Sequence, residues 1–219
     1  MSKNISGDAC VSGDARVYGN ARICDNARVF GNACVSGDAW VFDNACVFGN
    51  ARISDNSCVS DDAWVFDNAR VFGNAWVSGN ARISGDACVF GDARISGDAC
   101  VGGDARISGN ARISDNACVF GDARISGDAC VSGDARISGD AWVSGDADIS
   151  CNNDWFSFTY EGQTITGYRS RNNDGYELNI NGRSVDRADI PSVNVVNLIN
   201  ELVGKFETRN KQYSAIAQW

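Results

Sequence analysis

The chain has 219 residues, no histidine and a single proline, Pro191. Without histidine it lacks the side chain most often used as a general base and a common zinc ligand. One proline permits long strand ladders, since proline cannot donate a ladder hydrogen bond. No apolar run approaches the roughly 20 residues that cross a bilayer, and the first residues lack the apolar core of a secretion signal. We therefore expect a cytoplasmic protein without membrane contact.

Two further deficits narrow the function. Basic residues are outnumbered, 19 against 28 acidic ones, and the net charge of −9 argues against a nucleic-acid partner and against adhesion to membranes. Threonine is absent before Thr159, which excludes the ordered threonine rows of an ice-binding surface.

What the chain does contain is a strict six-residue repeat. Every sixth position from Ile5 to Ile149 is isoleucine or valine, and alanine stands two positions earlier from Ala9 to Ala147, except at Ser57. A fixed short period is typical of stacked coils. The composition changes near residue 151, so we predict a repeat domain over 1–151 and a small domain over 152–219, which caps or recognises.

Each repeat unit predicts one short strand followed by one tight corner. The alanine and the β-branched residue are two apart, so in an extended strand both face the interior. The residue after each of them then points outward. The pairs Gly-Asp, Gly-Asn and Asp-Asn that follow supply the bend, because Gly and Asn tolerate positive φ.

This pattern resembles the hexapeptide repeat of left-handed parallel β-helix proteins, in which three hexads form a triangular coil. The resemblance covers about two thirds of the chain. It implies a mainly β protein: a left-handed parallel β-helix of about eight triangular coils, followed by a small α+β domain. The spacing of 18 between Phe30, Phe48 and Phe66 favours this coil, since identical side chains stack well in parallel ladders. Coils with two or four sides stay open.

The ten cysteines do not suit a disulfide network. Nine lie inside the repeat, and only Cys100 and Cys118 are 18 residues apart, as adjacent coils would require. In a protein without a secretion signal we expect reduced thiols.

An 18-residue coil sorts the outward side chains onto three faces, and the aromatic ones concentrate in coils two to five. A large aromatic strip on an acidic protein usually marks an interface. The candidate binding residues are Arg28, Phe30, Phe48, Trp64, Phe66 and Arg82 on one face, and Trp40, Phe42 and Trp76 on another. The partner is a second copy, in a dimer or trimer such as helices of this family form, or a different protein.

The residues after 151 predict a small antiparallel sheet with a helix on it. Trp155–Tyr160 and 163–169 alternate as a hairpin around Glu161-Gly162. Asn173-Asp174-Gly175 predicts a second turn before a strand through Leu178. Pro191 predicts the start of a helix that extends to Phe206.

The resemblance also bears on activity. Hexapeptide β-helix proteins are best known as acyltransferases, which generally use a histidine base and a long loop that interrupts the coils. This chain has neither, and it has no CxxC pair for zinc. We therefore predict a non-catalytic binding or scaffold protein without metal or cofactor. The uniform repeat with its small tail also resembles phage and prophage proteins, which would make the partner a host macromolecule. The alternatives are an acyltransferase relative with a non-histidine base and a trimeric structural stalk.

Overall fold

A computed structural model describes residues 4–152, 154–160, 163–170, 173–185, 196, 197, 199, 200 and 204. From Cys10 to Ile149 the chain forms 24 strands of two residues each, β1 to β24. In chain order these strands are Cys10–Val11, Arg16–Val17, Arg22–Ile23, Arg28–Val29, Cys34–Val35, Trp40–Val41, Cys46–Val47, Arg52–Ile53, Cys58–Val59, Trp64–Val65, Arg70–Val71, Trp76–Val77, Arg82–Ile83, Cys88–Val89, Arg94–Ile95, Cys100–Val101, Arg106–Ile107, Arg112–Ile113, Cys118–Val119, Arg124–Ile125, Cys130–Val131, Arg136–Ile137, Trp142–Val143 and Asp148–Ile149.

Every third strand joins the same parallel sheet, so the strands form three sheets of eight. The register is 18 residues throughout; Trp64, for example, pairs with Cys46 in the preceding coil and with Arg82 in the next. Three sides per coil and eight coils are therefore confirmed, and the two-sided and four-sided alternatives are wrong. We call the sheets that begin with β1, β2 and β3 the first, second and third faces.

The interior is a single apolar column. From Ala21 to Ile149 every Ile and Val of the repeat, with the alanine two positions before it, has at most 1% of its surface exposed. Ser57 replaces one alanine without exposing a polar group, because its Oγ donates a 2.7 Å hydrogen bond to the Ser54 carbonyl oxygen. Each buried aliphatic side chain stabilises the fold by about 1.5–3 kcal/mol, so the predicted inward positions form the core.

The corners use the left-handed backbone region in two ways. Most carry glycine, and at Gly97 a Cβ would lie 2.7 Å from the Asp115 amide nitrogen of the next coil. Six corners carry aspartate at φ between 57° and 61°, namely Asp25, Asp43, Asp55, Asp61, Asp67 and Asp115. Their carboxylates accept a hydrogen bond from the amide 18 residues later, such as Gly79 N–H to Asp61 Oδ2 at 2.9 Å. This bond offsets the cost of a positive φ.

The C-terminal sheet is antiparallel, with strands in the order β25 (Trp155–Tyr160), β26 (Gln163–Ser170), β27 (Asn173–Ile180) and β28 (Arg183–Val185). The predicted hairpin of β25 and β26 is confirmed. The predicted turn at Asn173–Gly175 is wrong, because those residues open β27 and the register shifts opposite Arg169 and Ser170. The second turn lies at Asn181 and Gly182, both with positive φ.

Residues of the predicted C-terminal helix are described at five positions, and all five are helical: Val196, Asn197, Ile199, Asn200 and Gly204. Ile199 is buried in an apolar cluster with Phe156, Ile165 and Leu178 of the sheet. The described helical residues therefore pack on the sheet as predicted; the start at Pro191 and the end at Phe206 lie outside the described residues.

The C-terminal sheet closes the end of the β-helix. Tyr168 of β26 is fully buried and belongs to the apolar column of the helix. Its hydroxyl lies 3.1 Å from Ser144 Oγ, and the Trp142 amide donates to Thr166 Oγ1 at 3.0 Å. Asp154, which accepts hydrogen bonds from Ser150 and Cys151, forms an ion pair with Arg169 at 3.5 Å. The sheet thus covers apolar surface that the last coil would expose.

Candidate protein-binding face

The first face carries a continuous column of aromatic rings, which we call the aromatic row: Phe30, Phe48, Phe66 and Trp64. The Phe30 and Phe48 rings stack with centroids 5.0 Å apart, and the Phe48 and Phe66 rings repeat that distance. Trp64 meets Phe48 edge to face at 5.8 Å. The 18-residue register produces this column, because it brings equivalent outward positions of consecutive coils together.

The aromatic row is accessible to solvent and flanked by positive charge. Phe30 and Trp64 expose 37% and 44% of their surfaces, whereas Phe48 and Phe66 are half-buried between their neighbours. The Arg82 guanidinium lies 5.9 Å from the Trp64 ring centroid, within the range of a cation–π contact. Arg28, two residues before Phe30, is exposed in the coil at the other end. The structure therefore brings together all six residues predicted on this face.

The other three predicted residues lie apart from the aromatic row. Trp40, Phe42 and Trp76 belong to the third face, where Trp40 meets Phe42 edge to face at 6.4 Å. The strand of Cys58 separates Trp40 from Trp76. The Arg22 guanidinium covers the Trp40 ring at 4.9 Å. The candidate residues thus form two separate surfaces, of which the first is the more continuous.

The cysteines of the faces are free thiols, not disulfides. Burial raises the pKa of the Cys46, Cys58 and Cys100 thiols above the ordinary value for cysteine. It also raises the pKa of Cys24, with a further contribution from Asp25. A raised pKa reduces the thiolate fraction, so these four side chains are poor nucleophiles at neutral pH.

Acidic side chains form a column of their own at one corner. Asp86, Asp104, Asp122 and Asp140 line a shallow groove with Arg70, Arg106 and Arg124. Within the described residues, no three His, Cys, Asp or Glu side chains come together as a set of metal ligands. In the same part of the chain, no helix is long and apolar enough to span a membrane.

Comparison with known proteins agrees with the repeat architecture. A family model for the YdcK β-solenoid repeat matches residues 9–25, 21–37, 63–79, 105–121 and 111–127, all within the three-sided coils. The chain is a hexapeptide-repeat β-helix protein. Among curated protein sequences, none matches it.

Two solved structures are similar to this hexapeptide-repeat protein. The acetyltransferase domain of PglB from Neisseria gonorrhoeae, solved in complex with acetyl coenzyme A, is 21% identical, with a TM-score of 0.40. That alignment covers 52% of this chain and 55% of the other, so the match spans about half the length of each. A UDP-N-acetylglucosamine acyltransferase from Arabidopsis is 12% identical over 74% of this chain and 72% of the other, also with a TM-score of 0.40.

One aromatic group on the second face was not among the predicted site residues. The Arg124 guanidinium lies 4.3 Å from the ring centroid of Trp142. The turn at Gly182 packs on the same ring, so that any side chain at Gly182 would overlap it. The 18-residue spacing of Arg124 and Trp142 was a usable signal, whereas the contact with Gly182 depends on how the C-terminal sheet docks.

Proposed function

We propose that this hexapeptide-repeat protein is a non-catalytic scaffold whose aromatic row binds a second, different protein. The observation that carries the proposal is the stacking of three phenylalanine rings at 5.0 Å with Trp64 against them. Rings held on short strands of a rigid helix lose little conformational freedom on binding. Trp, Phe and Arg are also enriched where interfaces bind most strongly.

The charges favour a different protein over a second copy. Arg28 and Arg82 flank the aromatic row at its two ends. If two copies joined through this row, Arg28 would meet Arg28 or Arg82 of the other copy in either orientation, and like charges would repel. The net charge of −9 adds to the repulsion between copies.

The same arrangement describes the partner. Three coil steps separate the strands of Arg28 and Arg82, which corresponds to about 14 Å. A matching surface has an apolar ridge of that length with a carboxylate near each end. Partner carboxylates would accelerate association, and the apolar ridge would supply most of the affinity.

The test begins with capture and ends with a measured affinity. A photoreactive residue at Ser84, next to Phe66 on the first face, should cross-link the partner in cells. The same residue at Ser138, farther along that face, is the matched control and should not. The captured protein is then purified, and its affinity is measured for the wild type, for Phe48→Ser combined with Trp64→Ser, and for Trp76→Ser. Loss of two central aromatic contacts should weaken binding by about 100-fold or more, whereas Trp76→Ser should leave it unchanged.

Two results would refute the proposal. One is equal affinity of the captured partner for the wild type and the Phe48→Ser/Trp64→Ser variant. The other is a wild-type solution mass, measured by light scattering, that is a multiple of 23.3 kDa and returns to the monomer in that double variant. The second result would identify the aromatic row as a contact between copies. A phage origin, a host partner and a cytoplasmic location stay predictions from the sequence.

A further inference from the structure

The second face carries a notch beside the C-terminal sheet, on a different side of the β-helix from the aromatic row. Its volume is about 210 Å³, and its floor consists of Ser108 and Ser126. Phe90 borders it at one end, and Trp142 and Gly182 border it at the other. A cavity of this size suits a small metabolite better than a drug-sized ligand.

An aromatic stack ends abruptly at this notch. The Phe72 and Phe90 rings are parallel, with centroids 5.2 Å apart. In the next coil the equivalent position is Ser108, because Cys88 and Arg106 are register partners and Phe90 and Ser108 follow them by two residues. One side of the Phe90 ring therefore borders open space above a small hydroxyl side chain. A planar ring bound over Ser108 would continue the stack with ordinary aromatic spacing.

Two arginines supply the charge of the notch. Arg106 and Arg124 are register partners on adjacent strands, so two like charges lie one coil apart. Among the described residues, the ion pair between Arg169 and Asp154 is the only one within 4 Å, and neither Arg106 nor Arg124 has a carboxylate at that distance. The contact of Arg124 with the Trp142 ring orients its guanidinium. An anion between the two arginines would relieve their repulsion and accept hydrogen bonds from both.

The surroundings select the kind of anion. On their other side the same two arginines border the acidic column, which includes Asp104 and Asp122. A doubly charged phosphate would be repelled by this column about twice as strongly as a singly charged carboxylate. A planar carboxylate also matches the fork of the guanidinium group.

We propose that this notch binds a small planar carboxylate, with its ring stacked on Phe90 and its carboxylate between Arg106 and Arg124. The serine hydroxyls of Ser108 and Ser126 donate further hydrogen bonds to the carboxylate. The C-terminal sheet completes the site through Gly182 and Trp142, so a ligand here also holds the sheet against the β-helix.

Benzoate is the probe, and benzamide is its neutral isostere. Binding is measured by the shift of the Trp142 indole signal in NMR spectra, assigned with Trp142→Phe. Benzoate should shift this signal in a saturable way, and benzamide should bind about tenfold more weakly or less. Phenyl phosphate should also bind more weakly than benzoate at neutral pH.

Three variants locate the site. Arg106→Gln combined with Arg124→Gln should weaken benzoate binding by about tenfold or more. Ser108→Phe should block it while preserving the fold, since Phe66 already stacks on Phe48 in the same geometry. The matched control is Arg94→Gln combined with Arg112→Gln, an equivalent arginine pair that lies beside Ser96 and Ser114 on the third face. This control should bind benzoate like the wild type.

Each contrary outcome would overturn the proposal. Equal binding of benzoate and benzamide would show that the arginines do not select an anion. Unchanged benzoate binding in Ser108→Phe would place the ligand elsewhere. Equal losses in the two double-arginine variants would reduce the effect to general surface charge, and the absence of any saturable shift would exclude the site.

Discussion

Tyr168 offers the sharpest test of how the C-terminal sheet stabilises the β-helix. Its ring is fully buried in the apolar column, although the residue belongs to the C-terminal sheet. Its hydroxyl lies 3.1 Å from Ser144 Oγ, which also accepts a 3.2 Å hydrogen bond from Asn179 Nδ2. Two substitutions separate the contributions: Tyr168→Phe removes the hydroxyl, and Tyr168→Ala removes the ring as well.

The two variants should differ in the free energy of unfolding. Removing the hydroxyl should cost about 0.5–1 kcal/mol, at the low end for a lost hydrogen bond, because Ser144 keeps Asn179 as a partner. Removing a fully buried aromatic ring typically costs about 3–5 kcal/mol. Tyr168→Ala should also expose the end of the column at Val143 and Ile149, both now at most 1% exposed.

Hydrogen exchange followed by mass spectrometry is the appropriate assay, because a repeat protein opens locally from its ends. In Tyr168→Ala, amides of the last coil, residues 129–149, should lose protection first, and those near Val65 should keep wild-type protection. Tyr168→Phe is the control for the hydroxyl alone. Wild-type protection of the last coil in Tyr168→Ala would refute the capping role, as would an equal loss along all eight coils.

Three further predictions concern the corners, the thiols and catalysis. Asp55→Gly loses the hydrogen bond from the Gly73 amide but removes the cost of a positive φ, whereas Asp55→Ala loses the bond and keeps that cost. Chemical denaturation should therefore find Asp55→Ala less stable than Asp55→Gly by about 1 kcal/mol, and the reverse order would contradict this account of the corners. Because burial raises the pKa of Cys58, its alkylation by iodoacetamide should keep accelerating above the pH where an ordinary thiol levels off; an earlier plateau would show a normal thiolate. Finally, purified protein should not transfer acetyl groups from acetyl coenzyme A to amine acceptors, since the chain has no histidine and four of its thiols are poor nucleophiles; turnover above the uncatalysed rate would support the acyltransferase alternative.

The architecture of the repeat was predictable because one strong physical pattern repeats without a slip. A β-branched residue at every sixth position allows only one side of the chain to be the interior. Once Phe30, Phe48 and Phe66 suggested 18 residues per coil, every outward residue could be placed on its face. The aromatic row could therefore be located from the sequence, but its ring distances could not.

The parts that escaped prediction depend on pairing between distant segments. Asn173-Asp174-Gly175 has strong local turn propensity, yet pairing with β26 draws it into β27, because tertiary contacts override local preference. The choice of Tyr168 to fill the end of the helix has no periodic signal. The notch likewise requires the turn at Gly182 to dock on Trp142, a contact between residues 40 positions apart that no local rule indicates.

The constant register of the coils has a consequence for how such a molecule can change. Duplication of one 18-residue segment would lengthen the β-helix by one step, about 4.8 Å, and leave each remaining side chain on its original face. Duplication of a single six-residue unit would preserve the core equally well but would rotate everything beyond it by one face. The molecule thus works as a ruler and a dial: the first kind of event sets the distance between the aromatic row and the C-terminal sheet, and the second sets the angle between them.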